Sequence, residues 1–364
     1  MNTVRTQPIG CPAARGSQRG FTMVELMVAL LLGLVLIGGV INVFLTSGQT
    51  LRVNQNLSRV HENARFAIEM FSREIREAGM VPCGSTLSAN VLRTGSAPAW
   101  TVPWWASTYD GMVRGFDDGQ DSTAIKGFGA GTADRVGGTD ALLILRPSSD
   151  EADLRRLASH DPAENSFTDA SVISTAVKSR YDSRPALVCD GKSAALLQIG
   201  VASESLGEFD YRTGTYNCSM NLGNVDASCA TTTPRTFDAG AQLTRWDPAF
   251  WYVGHNSRGT KSLYRVGIKL SSGAVENDVQ EMVPDVENMQ IDYLTRNRDA
   301  GNVLATDWVA ASDSAFAGGW TSTTAEVVAA RVKLTLRSTE AVGEGNVPLT
   351  RTFVILGSIR NREI

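Results

Sequence analysis

Arg19-Gly20-Phe21-Thr22-Met23-Val24-Glu25, running straight into a mostly apolar stretch that ends at Leu45, decides how this chain is built. A small residue stands before a phenylalanine, and a lone carboxylate, Glu25, follows within the apolar run. As a helix, the span from Phe21 to Leu45 would measure roughly 37 Å, enough to cross a bilayer core with some tilt. Ahead of it, residues 1–20 carry Arg5, Arg15 and Arg19 and no acid. The positive-inside rule keeps that leader in the cytoplasm and exports the chain beyond Leu45. A secretory signal is cut after its apolar stretch; Gly20 precedes this one, so a cut there leaves the span attached.

Glu25 needs a reason. An ionised carboxylate in hydrocarbon costs a few kcal/mol or more unless paired, on the order of 2–4 by insertion scales. Either it sits close enough to the helix end to reach the headgroups, or it serves assembly by meeting a cation of a neighbouring subunit. Further along, Gly38-Gly39 offers either a point of local unwinding or a small packing face, since glycine costs about 1 kcal/mol in a helix interior.

A second helical signal continues from the first. Leu57, Val60, Ala64, Ala67, Phe71, Ile75 and Ala78 recur at steps of three or four, while Arg59, Glu62, Arg65, Glu69, Arg73 and Arg76 take other positions. Gly79 is the expected stop and Pro82 prevents a restart. Unbroken, the helix from Phe21 would run roughly 87 Å. Its apolar stripe must be buried, and a sheet is the natural cover. The β pattern begins at Asp140. Ala141–Leu145 is a continuous apolar run, and Leu196–Val201 and Leu263–Leu270 follow. Met289, Ile291 and Tyr293 alternate with polar neighbours, as do Val332, Leu334 and Leu336, and Phe353–Leu356 closes the series. Such alternation marks half-buried antiparallel strands. The fold class is therefore α+β: a long N-terminal hydrophobic helix packed on an antiparallel sheet, with a large loop-rich insertion. The expected divisions are a leader 1–20, a transmembrane part 21–45, an exported amphipathic helix 46–80, the loop-rich insertion 81–139 and a β-rich head 140–364.

These motifs carry a resemblance. The Gly20-Phe21 junction with Glu25 resembles the class III signal of the type IV pilin and pseudopilin superfamily. The resemblance implies that a prepilin peptidase cuts between Gly20 and Phe21 and methylates the new Phe21 nitrogen. It also implies that Glu25 pairs with such an amine during assembly. The C-terminal third, with Val286-Glu287-Asn288-Met289-Gln290-Ile291-Asp292-Tyr293, Val332-Lys333-Leu334-Thr335-Leu336 and Arg351-Thr352-Phe353, is similar to two groups, the large PilW minor pilins and the GspJ minor pseudopilins of type II secretion. Size favours the former. The implied role is a pilin-like, non-catalytic minor pilin that primes or caps filament growth, supporting twitching motility or attachment. Its implied partners are other minor pilins, a tip adhesin, the prepilin peptidase and the inner-membrane assembly platform. The implied location is the inner membrane, single-pass, with a periplasmic head that enters the pilus.

Other chemistry is sparse. The formal net charge of −4 becomes −7 once the three leader arginines are gone, and a mildly acidic chain is no non-specific nucleic-acid binder. No GxSxG elbow, P-loop, HExxH or zinc-ligand run occurs, and no cofactor is expected. Cys11 lies in the leader. The other four cysteines, Cys83, Cys189, Cys218 and Cys229, read as two disulfides in an oxidising compartment. Of three pairings, Cys83–Cys189 with Cys218–Cys229 is the one expected. No CxxC spacing occurs and His61, His160 and His255 are scattered, so no metal site is expected. Asp117, Asp118 and Asp121 resemble a fragment of a calcium loop but read better as a solvated acidic turn. Trp100, Trp104 and Trp105 are either a contact platform for a tip-located adhesive module or the plugs of a small local core.

Overall fold

The computed structural model describes residues 20–84, 87–96, 99–108, 111–212, 214–225, 229–230 and 232–359. Arg5, Cys11, Arg15 and Arg19 of the leader lie outside the described residues. The chain divides into two compact units, Met1–Gln55 and Asn56–Ile364.

In the first unit the helix Met23–Glu77 begins, and it is unbroken through Gly38-Gly39. Its apolar side chains up to Leu45 are almost all exposed. Among the described residues this is the helix long and apolar enough to cross a membrane. Polar residues within it are satisfied locally. Asn42 Nδ2 donates to the Gly38 carbonyl at 3.0 Å, and the Thr46 and Thr50 hydroxyls each donate to the carbonyl four residues back at 2.9 Å.

In the second unit, the helical stripe Val60, Ala64, Ala67, Phe71 and Ile75 is buried, joined by Ala78 just past the helix end; Leu57 is only half-buried. Gly79 stops the helix with φ +67°, and its N–H donates to the Leu145 carbonyl at 3.3 Å. Glycine adopts that left-handed conformation without penalty.

Two antiparallel sheets share a core with the stripe. One has the spatial order Ala274–Pro284, Lys261–Ser271, Ala249–His255, Ala141–Ile144, Val113–Phe116. The other runs Val303–Leu304, Val286–Asn297, Glu326–Arg337, Thr350–Ser358. Leu142, Ile144, Trp251, Val253, Met289, Ile291, Val332, Leu334 and Ile355 meet Phe71 and its neighbours there. Phe71 lies 5.3 Å from Trp251, centroid to centroid. The small residues opposite the helix let the backbones close in. A Cβ on Gly357 would stand 2.7 Å from Ile75 Cγ2.

The centre of the five-stranded sheet is buried on both faces, and this explains the continuous apolar run of Ala141–Ile144. Leu142 and Ile144 face the helix; Ala141, Leu143, Phe250, Tyr252 and Val266 face a third, eight-stranded sheet. Its order is Leu87–Asn90, Ala194–Gln198, Pro185–Cys189, Gln242–Arg245, Leu154–Asp161, Ser166–Asp169, Glu208–Asp210, Val201–Ser203. Its other face carries a separate core of Ala186, Val188, Leu197, Leu243, Phe167, Tyr211 and Phe237.

The topology contains one long excursion. Ala141–Ile144 and Ala249–His255 are neighbours, with Ala249 opposite Ile144, so residues 145–248 leave the five-stranded sheet and return beside the strand they left. Most of the eight-stranded sheet is built in that excursion. The stretch 81–139, expected as a loop-rich insertion, is mostly loop and adds one short strand to each of two sheets, Leu87–Asn90 to the eight-stranded one and Val113–Phe116 to the five-stranded one. Its Gly- and Ser-rich composition concealed two short strands that pair only with distant segments.

Candidate functional site

The N-terminal site is built on the first helical turn. Thr22 caps it: its Oγ1 accepts the Glu25 N–H at 3.2 Å, and the Thr22 carbonyl accepts the Leu26 N–H at 3.1 Å. The Thr-x-x-Glu spacing is a capping-box signature readable in the sequence. Glu25 is exposed and makes no ion pair among the described residues. Phe21 is 77% exposed. A Cβ added to Gly20 would meet nothing within 4 Å. The fold of this chain thus has no steric need for glycine there, and Gly20, Phe21 and Glu25 are all open to other molecules.

In the head, Cys83 is bonded to Cys189 and Cys218 to Cys229. The first bond joins the segment just after the long helix to a buried strand of the eight-stranded sheet, and the second staples loops over that sheet's far core.

The tryptophans do not form one face. Trp105 is 4% exposed and packs among Phe116, Leu143, Phe250 and Trp246, whose Nε1 donates to the Trp105 carbonyl at 2.6 Å. This corrects the platform reading for Trp105: a side chain sealed in a core cannot touch a surface. Trp104 is half-buried, with its Nε1 donating to Asn277 Oδ1 at 2.8 Å, and Trp100 is half-buried as well.

The acidic turn is not simply solvated. Asp117 accepts the backbone N–H groups of Ala311 at 3.0 Å and Ser312 at 2.9 Å, so its carboxylate pins a distant loop. Asp121 is spent on the N–H of Thr123 at 2.8 Å. Arg135, fully buried beneath this turn, donates to the carbonyls of Phe116, Asp117, Gln120 and Thr139 and lies over the Phe128 ring. Burial pushes its guanidinium down to about 10, still charged at neutral pH. Among the described residues no group of three or more His, Cys, Asp or Glu side chains is arranged to hold a metal.

Three ionisable groups that sequence did not single out are locked into the core. Arg146 holds Glu74 through two bonds of 3.1 and 2.9 Å and also meets Glu77 at 3.3 Å and Asp247 at 3.2 Å. Burial works against its charge, but these acids raise its pKa further. Asp140 accepts the Ile291 N–H at 2.7 Å and is raised to about 6 by burial. His160 is lowered to about 4 by burial. No pattern in the sequence marks them, because each owes its environment to strands far away in the chain.

Two family matches follow this geometry closely. Residues 250–358 match the family described as Type IV Pilus-assembly protein W. They comprise the returning strand Ala249–His255, the two strands beyond it in the five-stranded sheet, and the whole four-stranded sheet. Residues 15–41 match the Prokaryotic N-terminal methylation motif, which contains Gly20, Phe21 and Glu25. Neither match covers the excursion 145–248. No curated protein and no solved structure matched the chain. The two matches together are consistent with a type IV pilus-associated pilin.

Proposed function

We propose that this chain, with a prepilin methylation motif at one end and a type IV pilus-assembly region at the other, is a minor pilin that primes or caps the type IV pilus. In this reading prepilin peptidase removes residues 1–20 and methylates Phe21. The helix from Phe21 then holds the protein in the inner membrane with the head in the periplasm. Glu25, without an ion pair among the described residues, pairs with the N-terminal amine of an adjacent subunit, a contact that hydrocarbon makes selective for correct axial register. The other minor pilins, a tip adhesin and the inner-membrane assembly platform are the partners. A head with an extra eight-stranded sheet is awkward to repeat along a tightly packed shaft, which favours a priming or tip position. No catalytic role is assigned.

The observation that carries the reading is the coincidence on one helix of two things: an exposed methylation motif, and a stripe covered by the sheets that the pilus-assembly family match spans. The test compares wild type, Gly20→Val, Glu25→Ala and a deletion, measuring the mass of the mature N-terminus and counting surface pili. Wild type should carry N-methylated Phe21, Gly20→Val should stay uncut, and Glu25→Ala should be cut yet poorly piliated. Normal pilus numbers in the deletion would remove the priming role.

A further inference from the structure

A cavity of about 180 Å³ lies at the seam between the eight-stranded and five-stranded sheets. Arg245 reaches it from the strand Gln242–Arg245 of the first and Arg184 from the residue just before the neighbouring strand Pro185–Cys189, where Arg245 stands opposite Ala186. Arg265 and Lys269 come from Lys261–Ser271 of the second. Trp246, Ile268, Leu270 and Val275 supply the apolar part of the wall, and Asp247 is the one carboxylate in the lining.

The charges do not balance. Arg245 lies 3.0 Å from Asp153, but Asp153 also holds Arg180 at 2.7 Å. Arg265 lies 2.9 Å from Asp247, which Arg146 also claims at 3.2 Å. Lys269 is 3.9 Å from Asp278. The Arg184 side chain has no ion pair and no hydrogen bond among the described residues. Its Nε and that of Arg245 are both sealed from solvent without an acceptor. Two residues lining one cavity thus each carry a buried donor without an acceptor, and such groups are normally satisfied. A planar guanidinium fork matches carboxylate or phosphate oxygens better than it matches water. The space holds an oxyanion on a compact body, well short of the usual drug-sized pocket of roughly 300–1,000 Å³.

We propose that this seam pocket is a binding site for a small oxyanion, a carboxylate or phosphate carried on a body no larger than a single sugar ring. Arg184 is the principal anchor, Arg245 and Lys269 add charge, and the apolar wall accepts the body of the ligand. The site lies in the excursion and its seam, and it stands whether or not the chain acts in pilus assembly.

The test uses full-length protein in non-ionic detergent at low salt, titrated calorimetrically with inorganic phosphate, glucuronate, glucose and polygalacturonate. Saturable one-to-one binding of phosphate or glucuronate, with none of glucose, is the expected result. Phosphate alone would mark a phosphate site and glucuronate alone an acidic-sugar site; either upholds the proposal. Arg184→Gln should weaken binding about tenfold or more, as loss of a hydrogen bond to a charged group does. Lys269→Gln, on an exposed side chain, should weaken it less while leaving the melting temperature unchanged, which keeps the test valid if Arg184→Gln folds poorly. Failure of wild type to bind either small anion would overturn the proposal. So would binding that both variants retain in full, or binding of polygalacturonate alone.

Discussion

His160 and Asp140 should make opposite contributions to the pH dependence of stability, and removing either exposes the other. His160 stacks on Phe167, its cross-strand partner, with ring centroids 4.5 Å apart. Its Nδ1 accepts the Phe237 N–H at 3.1 Å, so the ring is neutral with its proton on Nε2, which meets the Tyr211 hydroxyl at 2.9 Å. Protonation would turn Nδ1 into a donor facing a donor. With the folded pKa lowered to about 4 by burial against about 6.5 unfolded, the unfolded state binds more protons between those values. The stabilisation is full above pH 6.5 and is lost as pH falls toward 4, about 3 kcal/mol in all. Asp140 runs the other way. Its folded pKa, raised to about 6 by burial, means its stabilisation is full below about 3.9 and is lost as pH rises through 6, again about 3 kcal/mol. Between pH 6 and 4 the two nearly cancel. Urea unfolding of the detergent-solubilised chain, followed by tryptophan fluorescence across that range, separates them. His160→Gln should gain about 3 kcal/mol on acidification relative to wild type, and Asp140→Asn should lose about as much. Three parallel profiles would refute the reasoning, whatever their offsets.

Two further outcomes follow from covalent and steric features. Breaking Cys83–Cys189, separated by 106 residues, should cost about 5 kcal/mol on the chain-entropy relation, against about 3 for Cys218–Cys229, whose separation is 11. Urea midpoints of the paired Cys→Ser variants should therefore fall in that order, and the reverse order would count against it. Gly357→Ala should lose about 1–3 kcal/mol by overpacking, because the new Cβ would lie 2.9 Å from Ile75 Cβ. The cost should shrink in an Ile75→Ala background, and strict additivity in that double-mutant cycle would show that the two residues do not compete for space.

Some of this architecture is written locally and some is not. The helix was legible because period and stop signal lie close together in the chain: Val60, Ala64, Ala67, Phe71 and Ile75 are buried on one face, and Gly79 lies in the left-handed region just past the end. The late strands were legible for the same reason, since Met289, Ile291 and Tyr293 alternate with less buried neighbours. Ala141–Ile144 read as buried without revealing why; only a sheet covered on both faces explains it. The excursion 145–248 was not legible because a chain that leaves one strand and returns beside it leaves no mark on composition.

What the sequence by itself determined is whatever depends on neighbours a few residues away: the methylation motif that contains Gly20 and Phe21, the apolar span, the amphipathic helix and the alternating strands. The tertiary structure alone decided what depends on convergence. It sealed Trp105 into a core, set Asp117 to pinning residues 311 and 312, kept His160 neutral, and brought Arg184, Arg245, Arg265 and Lys269 to one seam. Periodicity reports which way a side chain faces on its own element, whereas burial, charge balance and pKa are set by elements that the chain reaches a hundred residues later.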